Sequence, residues 1–296
     1  MLEMPYSGRE ISAKTLLSHV RQPDEWFGLA YSMNLYRGCQ HGCIYCDSRS
    51  ECYGIDDFDG EVLVKSNALD LLRAELARKR RRGTIGLGSM NDPYMPVEAR
   101  RNLTGRCLGI IAEFGFGVHV MTKSALVLRD IDTLIEIARR YATVTFTITT
   151  ADDELARKIE PRASAVSARL HAMQALAERG VQTGVALMPV LPFVTDDVAN
   201  VEAIVERSAD RGASYVIPGF GVTLRDRQRA HYYRCLDAAF PGTRRLYERS
   251  YGDRYYCPAR QADKLTESFE EACARRGIAT RIIADPSQAI SQPRLL

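Results

Sequence analysis

Short runs of β-branched and aliphatic residues alternate along the chain with stretches whose apolar side chains recur every three or four positions. The runs at residues 32–37, 84–87, 118–122, 143–149, 182–188 and 214–217 are mostly short and rich in Val, Ile and Thr, as suits strands of a buried parallel sheet. Between them the spacing turns helical. Leu69, Leu72 and Leu76 fall within 68–79, and Ile131, Leu134, Ile135 and Ala138 form a second stripe. Leu170, Met173, Leu176 and Ala177 precede Gly180, and Val201, Ile204 and Val205 precede Arg211 and Gly212. Such stripes pack helices against a sheet, and we assign them no chemistry. After a longer first interval the strand starts recur roughly every 25 to 35 residues, the period of βα units. Six units between about Tyr31 and Phe220 predict an α/β fold, a partial (β/α)6 barrel lacking two of the eight units that close the standard one. Its functional residues are expected just past the strand ends.

This pattern divides the chain into an N-terminal segment (1–28), the partial barrel (29–222) and a C-terminal extension (223–296). The extension is rich in Arg and Tyr, carrying Arg225, Arg227, Arg229, Arg234, Arg244, Arg245, Arg249 and Arg254. It offers a helix at 264–275 and a strand at 280–284, then a frayed tail from Pro286. With 46% hydrophobic and 26% charged residues, the composition is that of a globular enzyme and argues against a mainly disordered chain. A net charge of +3 is too small to demand a polyanionic partner. The start lacks a basic region followed by an apolar stretch, and no apolar run is long enough to span a bilayer, so a cytoplasmic protein without membrane contact is expected.

Eight cysteines are too few for a disulfide-stapled domain of this length, yet three crowd into one loop. Tyr36-Arg-Gly-Cys39-Gln-His-Gly-Cys43-Ile-Tyr-Cys46-Asp47 is a C-x3-C-x2-C array directly after the first strand. Three such thiolates can bind three corners of an iron-sulfur cube and leave the fourth iron open to a ligand. Gly38 and Gly42 suit a loop wound tightly around a cluster. A zinc site of the three cysteines with His41 is the alternative, although structural zinc ligands typically come as two separated pairs and no second pair follows.

The array resembles that of the radical S-adenosylmethionine (SAM) superfamily. Further stretches, Asn34 to Cys39, Asn91 to Glu98, Met121 to Ser124, Glu160-Pro161 and Met188 to Pro192, resemble its spore-photolyase-like group. The resemblance implies a barrel of the radical SAM type in which Cys39, Cys43 and Cys46 hold a [4Fe-4S] cluster and S-adenosyl-L-methionine chelates the open iron. One electron then cleaves the sulfonium to a 5′-deoxyadenosyl radical that abstracts hydrogen from a substrate. It also implies an external low-potential electron donor such as a flavodoxin or ferredoxin, with nucleic acid as one substrate class.

By the same resemblance Tyr45 lies near the adenine, Lys123 meets the cofactor carboxylate, Asp92 accepts from the methionyl amine, and Thr147 and Thr149 contact the ribose. Each has a plainer reading: a solvated strand-end lysine, an Asp-Pro turn, a good strand sequence. Glu160 and Arg169 could orient cofactor or substrate but read more readily as a helix-terminal or surface ion pair, and the basic run 78–82 reads as a solvated helix terminus. Tyr251, Tyr255 and Tyr256 beside arginines suit either base stacking or anchoring of the extension. One departure stands out. Spore photolyases carry a cysteine just beyond the second strand, where this chain reads Gly86-Leu-Gly-Ser-Met-Asn-Asp92. Repair of a thymine lesion by that route is therefore not expected, unless Cys257 or a tyrosine of the extension donates hydrogen instead.

Overall fold

The computed structural model describes residues 8–20, 27–55, 57–58 and 61–282. In chain order its elements are β1 (Gly8–Ile11), β2 (Leu17–His19), β3 (Tyr31–Met33), β4 (Tyr36–Arg37), β5 (Val62–Lys65), α1 (Ala68–Ala77) and β6 (Thr84–Leu87). There follow α2 (Glu98–Arg101), α3 (Leu103–Glu113), β7 (Gly117–Thr122), α4 (Ile131–Ala138), β8 (Ala142–Thr147), α5 (Asp153–Ile159), α6 (Val166–Glu178) and β9 (Gln182–Leu187). The rest are α7 (Val198–Asp210), β10 (Tyr215–Pro218), β11 (Gly221–Thr223), α8 (Asp226–Ala239), α9 (Thr243–Tyr251), β12 (Tyr256–Pro258) and α10 (Ala262–Arg276).

The main sheet runs β10-β9-β8-β7-β6-β3-β2. Its six strands from β3 to β10 are mutually parallel, and β2 joins the edge antiparallel to β3. This is the six-strand partial barrel expected from the sequence. β10 and β3 remain unpaired with each other, so the sheet does not close. The free edge of β10 is covered at one point, where Ala279 bridges Tyr215. That bridge stands where a strand at 280–284 was expected; residues 280–282 form no strand, and 283–284 lie outside the described residues.

Alternation along the strands sorts two different faces. Val118 and Val120, Val144 and Phe146, and Val185 and Leu187 point out and join Leu108, Ile111, Leu134, Ile137, Met173, Leu176 and Ile204 of the helices in one apolar core. The inward positions are small or polar: Gly86, His119, Thr143, Thr145, Gly184 and Tyr215. Gly184 lacks a Cβ where one would stand 2.2 Å from the Tyr215 ring. Tyr215 OH lies 2.6 Å from Thr145 Oγ1, which in turn lies 2.7 Å from His119 Nε2. Leu29 packs on Gly86 and Phe27 on His119, filling the inner face away from the strand ends.

Two expectations shift in detail. The first strand, expected over 32–37, breaks after Met33, and Tyr36–Arg37 leaves the main sheet to pair with β5, which pairs in turn with β1. Within the N-terminal segment, Gly8–Ile11 and Leu17–His19 thus contribute one strand to each of these sheets. The extension likewise packs onto the barrel: α10 runs along α7, and Leu224, Tyr232 and Leu236 share an apolar cluster with Cys43, Ile44 and Tyr45. No helix among the described residues is long and apolar enough to cross a membrane.

Candidate functional site

The cysteine loop begins where β4 ends and is fixed from two sides. Gly38 takes φ +84° and Gly42 φ +69°, left-handed angles that favour glycine; a Cβ on Gly42 would stand 3.0 Å from the Arg162 guanidinium. Gln40 accepts from Val97 N through its side chain (2.7 Å), and its carbonyl accepts from Arg162 Nε. The Ile44 amide donates to Ile159 O at 3.0 Å, and Arg162 N to His41 O at 3.0 Å. The segments after β6 and after α5 thereby hold the loop across the strand ends. Cys39 and Cys43 are buried and Cys46 is half-buried.

All three cysteines border one cavity of about 170 Å³. Tyr45 and His41 line it from the loop, residues 88–92 from the end of β6, Met121, Thr122 and Lys123 from β7, Thr147 from β8 and Met188 from β9. It thus opens at the carboxyl ends of the parallel strands, where such folds place their chemistry. A larger hollow of about 360 Å³ is lined by Ala151, Asp152, Asp153, Ser167, Asn200 and Arg207. Its polar side chains are spent on helix capping and local backbone bonds, and it carries no cysteine.

Burial pushes the Cys39 thiol up to about 12, helped by the charge of Asp92. Burial raises Cys43 as well, with Lys123 pulling the other way. Thiols so held become thiolates only when a bound cation compensates them, and three such donors facing a common cavity fit a metal-sulfur group. Among the described residues no three His, Cys, Asp or Glu side chains converge on a single ion. His41 is turned to other work: its Nδ1 lies 3.2 Å from Arg162 O, and its Nε2 lies 3.0 Å from Asp92 Oδ2. With His41 so engaged, the three thiols are the donors left facing the cavity.

Asp92 is a knot rather than a bare carboxylate. Oδ1 accepts from Thr122 Oγ1 (2.7 Å) and Tyr94 N (2.8 Å), and Oδ2 from Lys123 N (2.6 Å). Burial alone would raise its pKa, but His41 and these donors outweigh it and bring the carboxyl down to about 2. Its lone pairs are thus largely engaged in tying the β6 turn to the end of β7.

Beneath Tyr45 lies a buried ion pair. Tyr45 OH donates to Glu160 Oε1, and Glu160 Oε2 stands 2.6 Å from Arg169 NH2. Arg169 also donates to Thr147 O and Ser164 O, each at 2.8 Å. Burial pushes Glu160 up, yet Arg169 and then Lys123 hold it below the usual carboxylate range. Burial and the neighbouring Glu160 charge keep the Tyr45 phenol protonated well above its ordinary value. The ion pair expected for Glu160 and Arg169 forms at the terminus of α5, but it is enclosed rather than on the surface. The Lys123 ammonium lies 5.8 Å from the Tyr45 ring centre; burial opposes its charge, but Cys43, Glu160 and Asp92 outweigh that and raise its pKa.

Of the residues singled out in sequence, Cys39, Cys43, Cys46, Tyr45, Asp92, Lys123 and Thr147 border the same cavity. Thr149 does not: it is buried, and its hydroxyl has no partner among the described residues. Ser89, Met90, Met121 and Met188 also line the cavity; they lie in stretches singled out in the sequence, where they carried no individual role. Met121 and Met188 stand at strand ends, where position rather than residue type would have drawn attention to them. Cys257 is buried among Tyr232, Tyr233, Tyr247 and Tyr251 and is not part of the lining.

A sequence model of the radical SAM superfamily matches residues 33–204. An uncharacterised protein of Mycobacterium tuberculosis is 32% identical over 256 residues, 84% of this chain and 75% of that one. A radical SAM Nalpha-GlyT isomerase of Pseudomonas phage M6 is 25% identical over 183 residues, 62% of this chain and 37% of its own. Among solved structures, spore photoproduct lyase complexed with dinucleoside spore photoproduct superposes with a TM-score of 0.66 at 16% identity, over 90% of this chain and 78% of that one, a likeness of fold.

Proposed function

Because the chain belongs to the radical SAM superfamily, we propose that Cys39, Cys43 and Cys46 hold a [4Fe-4S] cluster and that the adjoining cavity receives S-adenosyl-L-methionine. Bound there, the cluster would supply the electron that cleaves the sulfonium to a 5′-deoxyadenosyl radical, the species that takes hydrogen from substrate. The observation that carries this reading is the meeting of three cysteines with Lys123, Asp92 and Thr147 around one cavity at the strand ends.

The chain's own side chains have separable tasks in this scheme. Lys123 presents a cation beside Tyr45 that suits the methionyl carboxylate. Asp92 holds the turn after β6 and the start of the segment after β7 in register, so the wall facing the cysteines is rigid. Glu160 fixes the Tyr45 ring through its hydroxyl, presenting a flat face to an adenine. Thr147 offers a hydroxyl to a ribose, and the unpartnered hydroxyl of Thr149 is a second candidate just beyond. The electron would come from an external low-potential donor such as a flavodoxin or ferredoxin.

Anaerobic reconstitution with iron and sulfide, reduction by dithionite and assay of 5′-deoxyadenosine test the scheme. The intact protein is expected to release it and Cys43→Ala to release none. A chain that binds zinc instead, with no brown chromophore, would sink the proposal.

A nucleic-acid substrate is the second reading. Tyr255 and Tyr256 are 51% and 50% exposed, the large apolar side chains most open to solvent among those described. The Arg225 guanidinium lies 5.4 Å from the Tyr255 ring centre, an aromatic-cation pairing that suits stacked bases. The dinucleoside spore photoproduct named with the structurally similar lyase agrees with such a substrate. Repair of the spore lesion itself is not expected, because no thiol besides the three proposed ligands borders the cavity among the described residues. Catalytic turnover of an oligonucleotide carrying that lesion would contradict this.

A further inference from the structure

Cys46 is the most open of the three loop cysteines. It is followed by two 3-10 turns, Asp47–Arg49 and Glu51–Tyr53, a geometry with poor internal hydrogen bonds. Support comes instead from four consecutive residues at the start of α8, far along the chain. Gln228 Nε2 donates to Tyr45 O at 3.0 Å and to Thr223 O at 3.0 Å, while its Oε1 accepts from Arg225 N. Arg225 NH2 reaches Asp47 Oδ2 at 2.5 Å. Asp226 accepts from Ser50 Oγ at 2.6 Å, and Arg227 donates to the carbonyls of Arg49 (2.8 Å) and Ile55 (2.5 Å). The two chain neighbours of Cys46 are thus each gripped by a different residue of this segment.

Two features mark the grip as more than incidental packing. Gln228 is fully buried, and a buried amide whose three bonds all serve the backbone fixes geometry rather than apolar area. Asp226 takes φ +34°, a left-handed angle unfavourable for a side chain with a Cβ. Such angles persist where surrounding contacts over-determine them and tend to gather at functional sites.

We infer that Gln228, with Arg225 beside it, is a positioning residue for Cys46, holding the third thiol in register with Cys39 and Cys43 so that a cluster is retained at all three corners. The inference rests on the reading of these cysteines as cluster ligands. It predicts a specific defect in Gln228→Leu, which keeps the volume and loses the donor.

The test compares reconstituted full-length wild type, Gln228→Leu, Arg225→Met and Arg229→Met. Arg229 belongs to the same helix but binds the carbonyls of Leu224, Gly252, Asp253 and Arg254, none of them in the cysteine loop. The readouts are iron and sulfide per chain, the rate at which an iron chelator bleaches the chromophore under anaerobic conditions, and near-ultraviolet circular dichroism. Gln228→Leu is expected to lose iron about fivefold faster than wild type with its dichroism unchanged, and Arg225→Met to show the same defect. Arg229→Met should match wild type. Loss at the wild-type rate in Gln228→Leu and Arg225→Met would overturn the inference, as would equal acceleration in Arg229→Met. Were Gln228→Leu to misfold, Arg225→Met decides alone. A wild type that takes up no cluster would instead refute the ligand reading, a separate and distinguishable result.

Discussion

Arg169 is among the largest side chains almost wholly out of solvent, and its charge is answered chiefly by Glu160. Removing one partner of a buried pair strands the other, at a cost of about 3–5 kcal/mol. Arg169→Met should therefore lower the free energy of urea unfolding by about 3 kcal/mol; a loss below about 1 kcal/mol would mean the pair is open to water. His119 yields a prediction of pH dependence. Burial pushes its imidazole down to about 3, so below its ordinary value near 6.5 the unfolded chain binds a proton that the folded chain refuses. Stability then falls as pH drops from about 6.5 toward 3, at about 1.4 kcal/mol per unit for this one group. Compared by urea unfolding at pH 7.5 and 5.5, wild type should lose about 1.4 kcal/mol more than His119→Asn; equal losses would show that His119 is hydrated. At this scale sequence spoke clearly where residue types are rare together, as in Cys39, Cys43 and Cys46. It offered Glu160 and Arg169 as an ion pair but could not tell that the pair is buried, because an ion pair looks the same in sequence whether water or Tyr45 and Thr147 surround it.

Strands and helices were legible because their periodicity is local. The buried stripe of α7 (Val201, Ile204, Val205 and Ser208) begins after the capping Asp197, which accepts from Asn200 N. β8 reads as Val and Thr alternating about a sheet buried on both sides. What was not legible is where a strand changes partners: nothing in residues 32–37 announces that Met33 ends one sheet and Tyr36 enters another, since both pieces favour extended backbone. The inner face of the barrel makes its own demand on shape. Gly184 exists to admit the Tyr215 ring, and Gly184→Ala sets a methyl inside it. Overpacking of this kind costs about 1–3 kcal/mol, so the variant should melt several degrees lower. Tyr215→Phe in the same background should not restore it, because the clash is with ring carbons rather than the hydroxyl.

At the scale of the molecule, the division into barrel and extension drawn from composition understates their union. Leu224, Tyr232, Tyr247 and Cys257 pack in one cluster with Cys43, Ile44 and Tyr45, so the extension backs the cysteine loop that borders the cavity. A chain ending at Phe220 should neither retain iron after reconstitution nor show wild-type near-ultraviolet dichroism; a truncated chain that kept both would show the extension to be dispensable. The grip of Gln228 on Tyr45 also spans 183 positions, and that span is an interval of time during synthesis. At about 5–20 residues per second, Tyr45 leaves the ribosome roughly 10–40 s before Gln228 does. Throughout that interval the cysteine loop lacks the hydrogen bonds that Arg225, Arg227 and Gln228 give it in the folded chain, so the order of synthesis makes the loop's far support among the last of its contacts to arrive.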